Sequence, residues 1–196
     1  MTQSLFNKAG TRKYLVARER SDFVAAAVRE PESVALFCLT LAITGARISE
    51  VLALTLARVD AGNSAIVFET LKQRRSSVFR AVPIPEELAH ALKQACSRKE
   101  SEKRLWPWGR TNAWKIVKRV LRKAGVAESI CMPKALRHGF AVEAGQNGVP
   151  LNIVQRWLGH ARIETTAIYS GAIGDEEREL ARRSWQLLDS TSFSAF

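Results

Sequence analysis

Apolar residues return at steps of three and four through most of the chain. Val34, Phe37, Cys38, Leu41 and Ala42 form one series, Ile48, Val51, Leu52 and Leu56 a second, and Trp114, Val117, Val120 and Leu121 a third. Leu136, Phe140, Ala141 and Ala144, then Leu151, Val154, Trp157 and Leu158, continue the pattern. Such spacing gathers apolar side chains on one face of an α-helix. The punctuation agrees. Ser21-Asp22 can cap a helix to about residue 29, and Thr111 or Asn112 can cap another. Pro31, Pro85, Pro133 and Pro150 stand where helices open, and Gly45, Gly125, Gly148 and Gly159 where they stop or bend. Further helices are predicted over 163–169 and 174–188. Between residues 60 and 83 the texture changes. Asp60-Ala61-Gly62-Asn63 is turn chemistry, and 65–68 and 78–82 are short and β-prone. The pattern predicts an α+β fold, mainly α, with one small antiparallel sheet packed at the edge of a helical core. It forms one domain over residues 21–188, between a mobile basic arm over 1–20 and a disordered tail over 189–196.

Composition narrows this picture. Of 196 residues 46% are hydrophobic, which excludes wholesale disorder. The longest mostly apolar run, 35–46, is interrupted by Thr40 and Thr44 and falls short of a membrane-spanning helix. No secretory segment follows the start, and the odd cysteine count, without C-x-x-C, suits a reducing compartment. A cytoplasmic location is therefore expected, with no membrane partner. The three histidines lack zinc-ligand spacing, so neither a metal nor another cofactor is expected. The net charge of +11 is the informative number. It points to a polyanion, and the basic residues cluster: Lys72, Arg74, Arg75 and Arg80 in and beside the sheet loop, and Lys115, Lys118, Arg119, Arg122 and Lys123 on a helix. A nucleic acid is the expected partner on charge, with Arg74, Arg75, Arg80, Lys115, Lys118 and Arg119 as its contacts.

Three segments carry polar residues where packing alone would not ask for them. In Thr44-Gly45-Ala46-Arg47-Ile48-Ser49-Glu50, Arg47 and Glu50 are three apart and can face each other on a helix. That pair is either a surface ion pair or a guanidinium held ready for a phosphate. Lys134-Ala135-Leu136-Arg137-His138 crowds cations at a helix start, where the dipole disfavours them and an anion would relieve the conflict. Leu158-Gly159-His160 is followed by Thr165-Thr166 and Tyr169.

Together these segments resemble the tyrosine recombinase (phage integrase) family, from about residue 20 to residue 185. The first segment looks like that family's first arginine box, Lys72 like its hairpin lysine, and the second like its His-x-x-Arg box, with Lys134 at the histidine position. The third resembles the family's His/Trp position and nucleophile. The resemblance implies an integrase-type catalytic domain and a site-specific recombinase. That enzyme cuts and rejoins DNA through a 3′-phosphotyrosyl intermediate, without metal or ATP. Tyr169 would attack the phosphorus, and Arg47, Arg137 and His160 would stabilise the developing charge. Lys72 and Lys134 would move protons, while Glu50 and His138 would support from behind. It also implies assembly on DNA, as a tetramer of this chain, in a bacterium, phage or mobile element. Only about 20 residues precede the catalytic region, a size similar to the short fimbrial phase-switch invertases, so an accessory DNA-binding protein is a further expected partner. Two alternatives stand beside this: a catalytically inactive DNA-binding accessory protein of the same fold, and a transcription regulator reading 40–56 as helix-turn-helix.

Overall fold

The computed structural model describes residues 5–70, 78–95 and 101–171. Helix α2 (Glu32–Thr44) runs through the middle of the helical core. Its spacing predicts one apolar face, but Leu36, Phe37, Cys38, Leu41 and Ala42 are buried together with Thr40 and Thr44, so it is enclosed on nearly every side. The two threonines tolerate this because each hydroxyl donates to the carbonyl four residues back, at 2.7 Å on Leu36 and 2.6 Å on Thr40. Helices α1 (Ala17–Ala27), α4 (Glu86–Ala95) and α6 (Pro133–Gln146) pack against α2. Helix α5 (Arg110–Lys123) packs against α1 and against the short α3 (Ile48–Leu52).

Helix α3 stops at Leu52, and its buried residues are Ile48, Glu50, Val51 and Leu52. A five-residue helix facing inward, preceded by an enclosed one, has no face to lay in a DNA groove, which removes the helix-turn-helix reading. Helix α1 begins four residues before the expected Ser21-Asp22 cap. The carboxylate of Glu19, inside the first turn, accepts the Val16 N–H at 3.0 Å and so supplies the cap instead.

The basic arm expected over 1–20 is anchored in part: residues 5, 14 and 15 are buried while 6–11 are exposed, and α1 starts at 17. Leu5, Tyr14 and Leu15 are buried, the Lys13 N–H donates to the Leu5 carbonyl at 2.7 Å, and the Leu15 N–H donates to the Ala135 carbonyl at 3.2 Å. Gly139 permits this approach, since a Cβ there would stand 2.5 Å from the Leu15 carbonyl oxygen. Leu5, Tyr14 and Leu15 anchor a segment whose Phe6 and Val16 stay exposed, so its basic composition hides the anchoring.

The sheet is antiparallel in the order β1 (Val59–Asp60), β2 (Ala65–Glu69), β3 (Phe79–Pro83), with Val59 opposite Ile66 and Phe68 opposite Arg80. Its inner face carries Ile66, Phe68 and Val82 and, among them, Arg80. Strand β1 has two residues, too few to leave a period in the sequence. The expected contacts Lys72, Arg74 and Arg75, the helix expected over 174–188 and the tail lie outside the described residues.

Among the described residues, buried apolar side chains form two clusters. The larger joins α1, α2, α4, α5 and the sheet. The smaller holds Leu5, Tyr14, Phe140, Ala141, Val154, Leu158 and Tyr169, around α6, α7 (Leu151–Leu158) and the N-terminal segment. Helix α6 serves both, with Ala135 and Leu136 in the first and Phe140 and Ala141 in the second. Arg137 and His138 fall between. After α7 come the one-turn α8 (Glu164–Ala167) and a 3-10 turn, Ile168–Gly171, that carries Tyr169.

Candidate active site

Arg137 is buried and held by backbone carbonyls at two helix ends. Its Nη1 donates to the Gly45 carbonyl at 2.7 Å and its Nη2 to the Leu158 carbonyl at 2.8 Å. Both acceptors sit where α2 and α7 run out of intrahelical donors and the helix dipole is negative. Gly45 makes the first contact possible. It caps α2 at φ 60°, and a Cβ there would overlap the Phe140 ring at 2.3 Å. Burial, with the charge of Arg47 nearby, lowers the Arg137 pKa to about 9, which still leaves a cation at neutral pH.

Glu50 joins two arginines. One carboxylate oxygen accepts from Arg47 Nη1 at 2.7 Å, and the other accepts the Arg47 backbone N–H at 2.8 Å and Arg80 Nη2 at 2.7 Å. Burial alone would raise the Glu50 pKa, but the charge and hydrogen bond of Arg80, with the backbone N–H of Arg47, hold the carboxyl below its ordinary range. Arg80 is only 6% exposed. Its Nε donates to the Trp157 carbonyl at 2.8 Å and its Nη1 to the Thr70 hydroxyl at 3.1 Å, and it lies over the Phe68 ring. The expectation that Arg80 contacts DNA is therefore corrected: it faces inward because it shares the buried parity of Val82 on β3. It ties α3, the sheet and the end of α7 together behind Arg47.

His160 follows Gly159, which closes α7 at φ 64°. Its Nε2 lies 2.9 Å from Arg137 Nη2 and its Nδ1 2.9 Å from the Thr166 hydroxyl. A guanidinium has no acceptor, so Nε2 takes the hydrogen bond and Nδ1 carries the proton, donating it to Thr166. Burial, then the charges of Arg137 and Arg47, lower this imidazole to about 3 and keep it neutral. Tyr169 is 4% exposed, its ring stacked on His160. Its hydroxyl meets His138 Nδ1 at 2.9 Å. Burial raises the phenol pKa against the pull of Arg137 and Arg47.

Arg47, Lys134, Arg137, His138, His160 and Tyr169 all line one cavity of about 420 Å³. Glu50 lies behind it, and Lys72 falls outside the described residues. Lys134 stands exposed in the first turn of α6. Sequence reasoning missed Arg110 and Trp114, which also line the cavity. Arg110 is a cation in the first position of α5, the same dipole conflict that marks Lys134. Trp114, assigned above to the apolar face of α5, is 40% exposed. On α5, Lys118 pairs with Glu128 and lies over the Trp114 ring, and Arg119 pairs with Glu30 at 2.9 Å, while Lys115 is exposed. An open cavity lined by three guanidiniums, an ammonium and a phenol can receive an oxyanion and attack it.

Residues 13–172 match the phage integrase family. The chain is 30% identical over 162 residues to tyrosine recombinase XerA of Pyrococcus furiosus, a match covering 76% of this chain and 54% of that one. It spans about half the length of the curated relatives it matches. Among solved structures, the catalytic domain of bacteriophage HP1 integrase superposes with a TM-score of 0.63 at 26% identity, over 87% of this chain and 93% of that one. The XerH site-specific recombinase bound to palindromic difH substrate, a post-cleavage complex, has the same fold. Its TM-score is 0.75 at 23% identity, over 93% of this chain and 57% of that one. The arginine boxes, the fold and the family match agree, and the chain belongs to the phage integrase family, the tyrosine recombinases.

Proposed function

We propose that this chain is a site-specific DNA recombinase whose Tyr169 hydroxyl attacks a DNA phosphodiester. One observation carries the reading: Tyr169, Arg47, Arg137 and His160, distant in sequence, line the same cavity. A scissile phosphate seated there meets Arg47 and the donors of Arg137 that Gly45, Leu158 and His160 leave over, so negative charge growing on its non-bridging oxygens is stabilised. Tyr169 forms the new P–O bond, the 5′ oxygen leaves, and a 3′-phosphotyrosyl ester remains. Lys134, at the cavity wall, or Lys72 supplies the proton to the departing oxygen. Attack by a second 5′-hydroxyl reverses the step. One phosphodiester is exchanged for another, so the sequence of bonds needs no ATP. His160 Nε2 accepts from Arg137 in this arrangement, so it donates to phosphate only in the other tautomer, with the ring proton on Nε2, the Thr166 hydroxyl donating to Nδ1 and Arg137 Nη2 turned to the incoming anion.

Double-stranded DNA is the partner this reading requires. Exchange of two duplexes needs paired cuts, and we place a tetramer of this chain on DNA, helped by an accessory DNA-binding protein, in the cytoplasm. Among the described residues no helix is long and apolar enough to cross a membrane. The test is a nicked suicide substrate incubated with wild type and with Tyr169→Phe. Wild type gives a denaturation-resistant protein–DNA band and the variant gives none while still shifting the duplex. A band from the variant, or none from wild type, overturns the proposal. The second outcome would favour the inactive accessory protein.

A further inference from the structure

The attacking phenol needs somewhere to put its proton, and among the described residues the cavity offers few acceptors. His160 is engaged at both nitrogens, accepting from Arg137 at Nε2 and donating to Thr166 at Nδ1. The Glu50 carboxylate lies between Arg47 and Arg80. Lys134, Arg47 and Arg137 are donors. The remaining imidazole touches the reacting oxygen itself: His138 Nδ1 stands 2.9 Å from the Tyr169 hydroxyl, with the ring centroids 5.6 Å apart. His138 is held in place by its position in α6, immediately after Arg137, with Gly139 clamped against Leu15 on its other side.

We infer that His138 is a catalytic residue, the general base that takes the Tyr169 proton as the phenol attacks phosphorus. The inference rests on the recombinase reading above and specifies its first proton transfer. In the step, the Tyr169 O–H bond breaks and its proton passes to His138 Nδ1. The phenolic oxygen bonds to phosphorus, the bond from phosphorus to the 5′ oxygen breaks, and that oxygen takes a proton from the lysine donor. Rejoining runs the same path backward, with the imidazolium returning its proton to the departing phenolate and the lysine recovering the one it gave.

The electrostatics suit the role. The buried phenol stays protonated and the imidazole stays neutral, so the hydrogen bond joins an acid to an unoccupied base. Burial first, then Lys134 and Arg137 on the same helix and Lys13 on the N-terminal segment, lower His138 to about 4, and neutral His160 and Tyr169 face it from the other side. A phosphodiester entering beside Arg137 and Lys134 brings a negative charge that offsets this cationic field. The base therefore strengthens as substrate seats. In this chain the position that commonly holds histidine in the second box is Lys134, and the imidazole in reach of the nucleophile is His138.

The test measures single-turnover cleavage of the nicked substrate by wild type and by His138→Asn, whose amide oxygen can occupy the Nδ1 position and accept a hydrogen bond without taking a proton. The expected result is cleavage slowed by about 10²–10⁴-fold, with DNA affinity kept. The variant's rate should rise with pH as the phenol ionises unaided, while the wild-type rate falls at low pH as the imidazole protonates. A substrate with sulfur at the bridging 5′ position, whose thiolate leaves without a proton, should not rescue His138→Asn but should rescue loss of the lysine donor. Cleavage by His138→Asn at the wild-type rate makes the residue a positioning group only and overturns the inference, as does rescue by sulfur. Should that variant not fold, ¹⁵N shifts of labelled wild-type protein decide. A protonated Nε2 with bare Nδ1 on His138 is expected, and the opposite tautomer overturns it. If wild type forms no covalent adduct the recombinase reading falls and takes this step with it. If wild type reacts and His138→Asn is equally fast, only this step falls.

Discussion

A buried guanidinium answered by a single carboxylate sets the terms at the residue scale. Removing Arg80 leaves Glu50 charged, enclosed and short of a partner, so Arg80→Met should cost about 3–5 kcal/mol, read as a drop in denaturant midpoint at unchanged m. Because Arg80 faces inward, the same variant should leave the salt dependence of DNA binding where it was, which a filter-binding series checks. Acid should act on the site through three groups in particular. Glu50 has its folded pKa below the usual carboxylate range, so its contribution is complete above that range and fades as pH falls through the folded value. His138 and His160, ordinarily near 6.5, are lowered to about 4 and about 3, so below pH 6.5 the unfolded chain binds protons that the folded one refuses. The melting temperature should hold above pH 6.5 and decline steadily beneath it, and a flat profile down to pH 5 would contradict both histidine shifts. Of these residues, the order Arg47, Lys134, Arg137, His160, Tyr169 was legible from spacing and resemblance. The role of Arg80 was not, because positive charge in a basic chain draws the eye to DNA. The signal that could have found it is its alternation with Val82.

Elements repeat the lesson with backbone groups. Proline and glycine punctuation located α2, α6 and α7 closely, since those residues act through φ and a missing N–H, which are local properties. Helix α1 starts early because its cap comes from a carboxylate inside the first turn, and Leu15 docks because a glycine on another helix admits its backbone. Neither cause is local in sequence. Leu15 is 1% exposed, so Leu15→Ala should destabilise by about 2–5 kcal/mol. The same change in a mobile arm would have almost no effect, and chemical denaturation separates the two outcomes.

For the whole molecule, the charge of +11 is distributed unevenly between structure and surface. Glu30 and Glu128 neutralise much of the basic side of α5, through Arg119 and Lys123 for the first and Lys118 and Arg122 for the second. The net charge already subtracts these carboxylates, but composition could not reveal which cations they engage. Lys115 is exposed on α5. If it touches DNA, Lys115→Ala should reduce the slope of log affinity against log salt by about 0.9, whereas an unchanged slope would place DNA elsewhere.

The small apolar cluster makes the front of the described chain and the attacking phenol tenants of one compartment, with Leu5 and Tyr14 at one wall and Tyr169 at another. Loosening either wall loosens the other. Whatever pulls on the segment holding Leu5 and Tyr14 thus has a mechanical route to Tyr169, and on the proposed reading the readiness of its hydroxyl becomes a property of how firmly that segment is seated.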